Sequence, residues 1–201
     1  KRTSVLRVNK FWVGKIFNCK PFLFIMVKKE ATFAGGCFWC MEPAFRIKKG
    51  VIDVVSGYSG GKDKNPNYVK VSSGATGHRE AVSVVYNSDK VSYEELLGIF
   101  WQSIDPSDSG GQFGDRGEEY KTAIFYRNSQ EKKLAEKSKK ELGKSGKFGK
   151  LIATEIIPFS NFHKAEEYHQ GFYKKNPLHY NSYKKASGRE DFLKKAWKRK
   201  N

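Results

Sequence analysis

Residues 28–50, KKEATFAGGCFWCMEPAFRIKKG, decide how the rest of the chain is read, because their pattern changes in mid-course. As far as Gly36 they read as a short strand. From Cys37 onward Phe38, Met41 and Phe45 recur along one side at helical spacing, and Gly50 supplies a stop. Two cysteines, Cys37 and Cys40, stand at this junction behind a pair of glycines.

The segments that follow extend the strand–helix start. VIDVVSGY (51–58) is rich in β-branched residues and reads as a strand; residues 59–77, SGGKDKNPNYVKVSSGATG, read as a long loop, and loops of that length inside a domain are usually functional. HREAVSVVYN (78–87) is a second β-branched strand. SYEELLGIFWQSI (92–104) is a helix, with Ser92 as N-cap and Glu95 completing a capping box. A second Gly-rich loop, DPSDSGGQFGDRGEE (105–119), leads to the strand YKTAIFYR (120–127). A charged helix over about 129–142, a strand LIATEII (151–157) ended by Pro158, and one or two further helices complete the chain.

The order strand, helix, strand, strand, helix, strand predicts an α+β fold. Its form is a two-layer sandwich on a ferredoxin-like (split βαβ) core, with two helices over one face of a mixed sheet and extra C-terminal helices. At 201 residues the chain suits one domain with a full hydrophobic core and has no room for two large ones.

Net charge is +17, and its distribution matters more than its size. Residues 1–30 carry +7 and residues 121–201 carry +13, whereas residues 31–120, which hold both cysteines of the junction, carry −3. The basic ends therefore say little about what the cysteine region binds. The lysines of EKKLAEKSKKELGKSGKFGK (131–150) are interspersed with Glu, as on a solvated helix face, so no specific nucleic-acid binding is expected. At the amino end the longest apolar run, PFLFIMV (21–27), is too short to span a bilayer, and no membrane association is expected. Residues 1–25 read as an extension outside the fold, with Met26 as the true start and residues 26–201 as the domain.

Cysteine usage is sparse: Cys19, Cys37 and Cys40. That suits a reducing, cytoplasmic setting with one redox-active pair. If a helix begins near Cys37, its backbone N–H groups and dipole favour a thiolate there, which marks Cys37 as the nucleophile; Cys40, one turn on, can reach it to form a disulfide. A zinc site needs four ligands, and neither a second C-x-x-C nor a suitable histidine spacing is present, so no metal is expected. A thioredoxin-like exchange pair and two inert buried cysteines are the readings that remain beside a self-resolving nucleophile.

Six segments in order, GGCFW (35–39), GYSGG (57–61), NPNY (65–68), GHREAV (77–82), GDRGEEY (114–120) and AEEYHQ (165–170), resemble the peptide methionine sulfoxide reductase A family. The resemblance runs from about residue 28 to 195. It implies reduction of the S epimer of methionine sulfoxide, free or in oxidised proteins, by a monomer with no bound cofactor and with thioredoxin, or dithiothreitol in vitro, as reductant. Carried over by position, the nucleophile is Cys37, the aromatic wall for the substrate methyl is Phe38 and Trp39, and the acid that protonates the sulfoxide oxygen is Glu80. Tyr68 and Tyr120 hydrogen-bond that oxygen, and Asp115 is the binding-site aspartate.

The chemistry suits these residue types. A sulfoxide is a poor electrophile because its oxygen leaves badly, so attack at sulfur needs a proton delivered to oxygen. A carboxyl kept protonated by burial supplies it, and two phenols stabilise the charge that builds there. The attack leaves a sulfenic acid, and many relatives resolve it with a C-terminal cysteine. This chain has no cysteine beyond Cys40, which occupies a position where many relatives have Gly, so Cys40 is assigned as the resolving thiol. Glu118 and Glu119 are a departure from the pattern, and His169 is expected to pack or hydrogen-bond near the substrate loop. The competing functions are a C-x-x-C thiol–disulfide oxidoreductase and, behind it, a basic nucleic-acid-binding module.

Overall fold

The computed structural model describes residues 27–197. The expected extension over 1–25, with Cys19 and Met26, lies outside the described residues.

In chain order the elements are β1 (Lys28–Ala34), α1 (Phe38–Arg46), β2 (Val51–Ser59), α2 (Tyr68–Ser72), β3 (Arg79–Asn87) and α3 (Tyr93–Trp101). A small hairpin of β4 (Gly111–Gln112) and β5 (Asp115–Arg116) and a 3₁₀ turn (Glu118–Tyr120) precede β6 (Ala123–Tyr126). Then come α4 (Ser129–Lys144), β7 (Glu155–Pro158), β8 (Phe162–Lys164), α5 (Phe172–Lys175), α6 (Pro177–Ala186) and α7 (Arg189–Ala196).

The main sheet has the order β7–β6–β1–β3–β2–β8. Its four inner strands, β6–β1–β3–β2, are antiparallel to one another, whereas β7 joins β6 in parallel, so the sheet is mixed. Pro158 falls at the end of the edge strand β7, where a missing N–H is tolerated.

Period-2 alternation decides which face each strand residue covers. Phe33 of β1 and Val82 and Val84 of β3 meet Met41 and Phe45 of α1 and Leu96, Leu97 and Phe100 of α3, all fully buried. Phe33 stacks between Phe45 and Phe100 at centroid separations of 5.1 and 5.3 Å. Each such ring contributes roughly 1.5–3 kcal/mol by leaving water. The other face carries a smaller cluster, Ala34, Ala81, Ala123 and Phe125. The capping box of α3 is present as the sequence implies: Ser92 Oγ accepts from Glu95 N, and Glu95 accepts from Ser92 N.

Several elements differ from the sequence reading, each for a local reason. The 59–77 loop contains α2, because the Asn67 side chain accepts from Lys70 N at 3.0 Å and caps a single turn. The loop before β6 folds into the β4–β5 hairpin, and Tyr120 closes the 3₁₀ turn rather than opening the strand. Residues 151–154 are not strand: Ala153 N and Thr154 N donate to Pro106 O, so β7 starts only at Glu155. β8, three residues long, pairs with β2 at the opposite edge and has no counterpart in the sequence reading. The C-terminal region holds three helices instead of one or two. Among the described residues no helix is long and apolar enough to cross a membrane.

Candidate active site

The site forms where β1 runs out under the sheet's helical layer. Gly36 adopts φ 74°, and a Cβ there would lie 2.5 Å from Gln112 Cβ and 3.0 Å from Arg189 Nη2, so only glycine makes this turn. The turn delivers Cys37 as the N-cap of α1, with extended backbone (ψ 120°) and its carbonyl accepting from Cys40 N and Met41 N. The first amide of the helix, Phe38 N–H, donates to Glu80 Oε2 at 3.0 Å. Glu80 projects from β3, paired in register with Tyr58 of β2.

Glu80 is 3% exposed and its pKa is pushed up to about 8. Burial is the main cause, the Phe38 N–H bond opposes it, and the charges of Asp115 and Glu119 reinforce it. Glu80 is therefore a carboxylic acid at neutral pH.

Cys37 departs from the sequence expectation of a thiolate favoured by the helix N-terminus. Its pKa is raised well above the ordinary thiol value, by burial first and then by its hydrogen bond with Cys40 and the nearby Glu80. Desolvation outweighs the helix dipole, whose leading N–H is already engaged by Glu80. Cys37 is a thiol in this structure. Cys40 is shifted the other way, chiefly by the hydrogen bond from Cys37, with Arg189 and Lys184 adding to the shift and burial and Asp115 resisting it.

A cavity of about 50 Å³ is bounded by Cys37, Phe38, Trp39, Tyr68, Glu80, Asp115 and Tyr120. It thus gathers residues from α1, α2, β3, β5 and the 3₁₀ turn. Of the catalytic and substrate-binding candidates named from the sequence, Cys40 alone does not line it; it is 7% exposed and a free thiol. Tyr183 of α6 is the lining residue that sequence reasoning missed. Its hydroxyl donates to Asp115 Oδ2 and also bonds Cys37. Burial raises the pKa of Asp115, and the Tyr183 bond and Arg189 pull it back.

The aromatic wall is held from far along the chain. Trp39 stacks on Phe172 with a centroid separation of 3.8 Å, and its Nε1–H donates to His169 Nδ1 at 3.1 Å. Because Nδ1 accepts, the hydrogen of neutral His169 sits on Nε2, and burial lowers the pKa of the ring, favouring that neutral form. The same ring packs on Phe38 and Tyr68. Glu166 accepts from Tyr58 OH at 2.7 Å and from Tyr68 N at 2.8 Å, which fixes the start of α2. Gly171 N donates to the buried Glu42 of α1 at 2.9 Å. Segment 165–172 is therefore a brace across the back of the pocket.

Glu118 and Glu119 behave differently. Glu118 is exposed and pairs with Lys121, whereas Glu119 is buried and adds to the upward shift of Glu80. A larger groove between residues 145–150 and α7 is lined by lysines and aromatics and holds neither Cys37 nor Glu80. Among the described residues no group of three or more His, Cys, Asp or Glu side chains is placed to hold a metal ion.

Residues 29–201 match the family model for peptide methionine sulfoxide reductase. The chain is 56% identical over 174 residues to the peptide methionine sulfoxide reductase MsrA of Bacillus licheniformis, covering 86% of this chain and 96% of that protein. It is 54% identical over 171 residues to the protein of the same name from Bacillus subtilis, covering 85% and 97%. Among solved structures, reduced Mxr1 from Saccharomyces cerevisiae superposes with TM-score 0.71 at 34% identity, covering 75% of this chain and 87% of that one. Mxr1 in complex with Trx2 superposes with TM-score 0.52 at 27% identity, covering 72% and 84%. By sequence over most of its length and by the likeness of its fold, this chain belongs to the peptide methionine sulfoxide reductase family.

Proposed function

We propose that this chain reduces methionine-(S)-sulfoxide, free or within oxidised proteins, to methionine through the thiol of Cys37. The observation that carries this reading is the pairing of a buried, protonated Glu80 with Cys37 in one small cavity walled by Phe38 and Trp39. The substrate methyl rests against the two rings and its oxygen faces Glu80, Tyr68 and Tyr120. Cys37 sulfur attacks the substrate sulfur as Glu80 delivers a proton to the oxygen and the tyrosine hydroxyls stabilise it. The S–O bond breaks as the bond between the two sulfurs forms, and the protonated oxygen leaves as water; a water molecule then adds to Cys37 sulfur, the bond between the sulfurs breaks to release methionine, and Cys37 is left as a sulfenic acid. Asp115, fixed by Tyr183, orients the bound residue.

Cys40 then condenses with the sulfenic acid, forming the Cys37–Cys40 disulfide and releasing water. Thioredoxin reduces that disulfide by thiol–disulfide exchange, a route supported by the relative solved in complex with Trx2. The inner strand order β6–β1–β3–β2 with α1 and α3 supports a ferredoxin-like, split βαβ core for this reductase. The working unit is a monomer within residues 26–201, in the cytoplasm, with no cofactor bound.

The test is chiral. The protein is incubated with racemic blocked methionine sulfoxide and dithiothreitol, and the remaining epimers are separated. Loss of the S epimer alone is expected; consumption of neither, with the fold intact, overturns the reading.

A further inference from the structure

α7 places a buried cation behind the two cysteines that the repair reaction itself leaves without a task. Arg189 is 2% exposed. Its Nη2 donates to Gly35 O at 3.1 Å and its Nη1 to Ser103 O at 2.7 Å, with Met41 Sδ, the residue after Cys40, at 3.8 Å. The guanidinium lies over the Phe113 ring, 4.6 Å from its centroid, and Phe113 is held at φ 56° to cover it. No carboxylate among the described residues lies within ion-pair distance of it, and its Nε has no protein partner. Backbone carbonyls satisfy part of a guanidinium but do not neutralise it, and the acid that responds to it, Asp115, does so without an ion-pair contact.

We propose that Arg189 is the counter-charge of the resolving thiolate: pinned under the Gly35–Gly36 turn, it stabilises the negative sulfur that Cys40 presents when it attacks oxidised Cys37. The inference rests on Cys40 being the resolving thiol. In the step Arg189 assists, Cys40 thiolate forms the S–S bond with Cys37 while the S–O bond of the sulfenic acid breaks. The oxygen leaves with a proton taken from the site as water, and no further oxidant is needed.

The charged and titratable groups around Cys40 are Cys37, which donates to it, Arg189 and Lys184, which favour its charge, Asp115, which opposes it, and Tyr180 of α6. Lys184 sits on a surface helix and is screened; Arg189 is the one enclosed cation of the set. Gly36 leaves room for it, since a Cβ there would lie 3.0 Å from Nη2. A clamp between α7 and the β1 turn would need only the hydrogen bonds. The counter-charge role also needs the charge.

The experiment mixes reduced full-length protein with one equivalent of methionine sulfoxide, quenches at intervals across the range of about pH 5 to 9, and measures methionine released and Cys37–Cys40 disulfide by mass. In the native protein disulfide closure is expected to have a midpoint below that of an ordinary thiol, about 8.5. Arg189→Met moves that midpoint up by about one unit and slows closure about tenfold near neutrality, a larger effect than on methionine release. Arg189→Lys keeps the midpoint close to native. Equal midpoints in the native and Arg189→Met proteins overturn the inference.

If Arg189→Met does not fold, the alkylation rate of the Cys40 peptide against pH is compared between Cys37→Ser and Cys37→Ser with Arg189→Gln. A midpoint that rises when Gln replaces Arg189 supports the counter-charge, and equal midpoints refute it. Methionine release with no Cys37–Cys40 disulfide in the native protein removes the resolving role of Cys40, and the inference with it, which separates that failure from the failure of Arg189 alone.

Discussion

Phe38 N–H donates to Glu80 Oε2 at 3.0 Å, so the leading amide of α1 is engaged by the acid rather than by the thiol that precedes it. One carboxyl oxygen is thereby fixed and the plane of the group set, while burial keeps the proton on it. The helix N-terminus orients the carboxyl group, and burial leaves Cys37 a thiol.

Replacing Glu80 by Gln keeps an oxygen to accept from Phe38 and removes the transferable proton. kcat/KM for blocked methionine sulfoxide is expected to fall about 10²–10⁴-fold with the far-ultraviolet spectrum unchanged. A value within a few-fold of native would remove Glu80 from the acid role.

Native activity should decline as pH rises through about 8, where Glu80 loses its proton. The same group shapes stability. Folding raises its pKa from 4.5 to about 8, so the folded state holds a proton that the unfolded chain releases. Its stabilising contribution is complete below about 4.5 and is lost as pH rises through 8. Thermal melts between these limits should show a downward slope with pH that is shallower in Glu80→Gln; identical slopes would contradict the shift.

Cys40→Ser is expected to release one methionine per enzyme and then stall with thioredoxin, while Cys37→Ser releases none. The two are told apart by a single-turnover assay followed by trapping of the sulfenic acid. Full thioredoxin-supported turnover by Cys40→Ser would assign resolution to another thiol.

His169→Leu removes the acceptor of Trp39 Nε1–H and leaves the ring free to tilt on Phe172. Since the wall contacts the substrate in ground and transition states alike, KM should rise about tenfold and kcat change much less. Steady-state kinetics check the split, and a fall in kcat with KM unchanged would give His169 a role in the chemistry.

Phe45→Ala opens a cavity between Phe33 and the helical layer, both residues being fully buried. A loss of about 3–5 kcal/mol in urea unfolding is expected. A loss under 1 kcal/mol would mean that the layer collapses to fill the space.

The sequence carried those features whose signals are local. The apolar side of α1 (Phe38, Met41, Phe45) and the Ser92–Glu95 box each lie within a few residues, and the segments of the resemblance supplied every lining residue of the cavity but Tyr183. Tyr183 stands in a lysine-rich helix whose pattern is that of any solvated surface, and only tertiary packing turns it inward. β8 is too short for periodicity to register. The protonation of Cys37 was misread because the helix dipole is legible from sequence, whereas desolvation depends on α6 and α7 closing over the turn.

The brace formed by residues 165–172 and the Arg189 contact to Gly35 join positions 130 and 154 apart in the chain. A ribosome adds residues one at a time, so Cys37 emerges long before the parts that enclose it. Until residues 165–172 and then α7 have left the ribosome, that sulfur lacks first the brace behind its stacking wall and then the cover that α7 gives the turn. The enclosure of Cys37 is therefore a late event of synthesis, and a nascent chain passes through a period in which that thiol is open to oxidation.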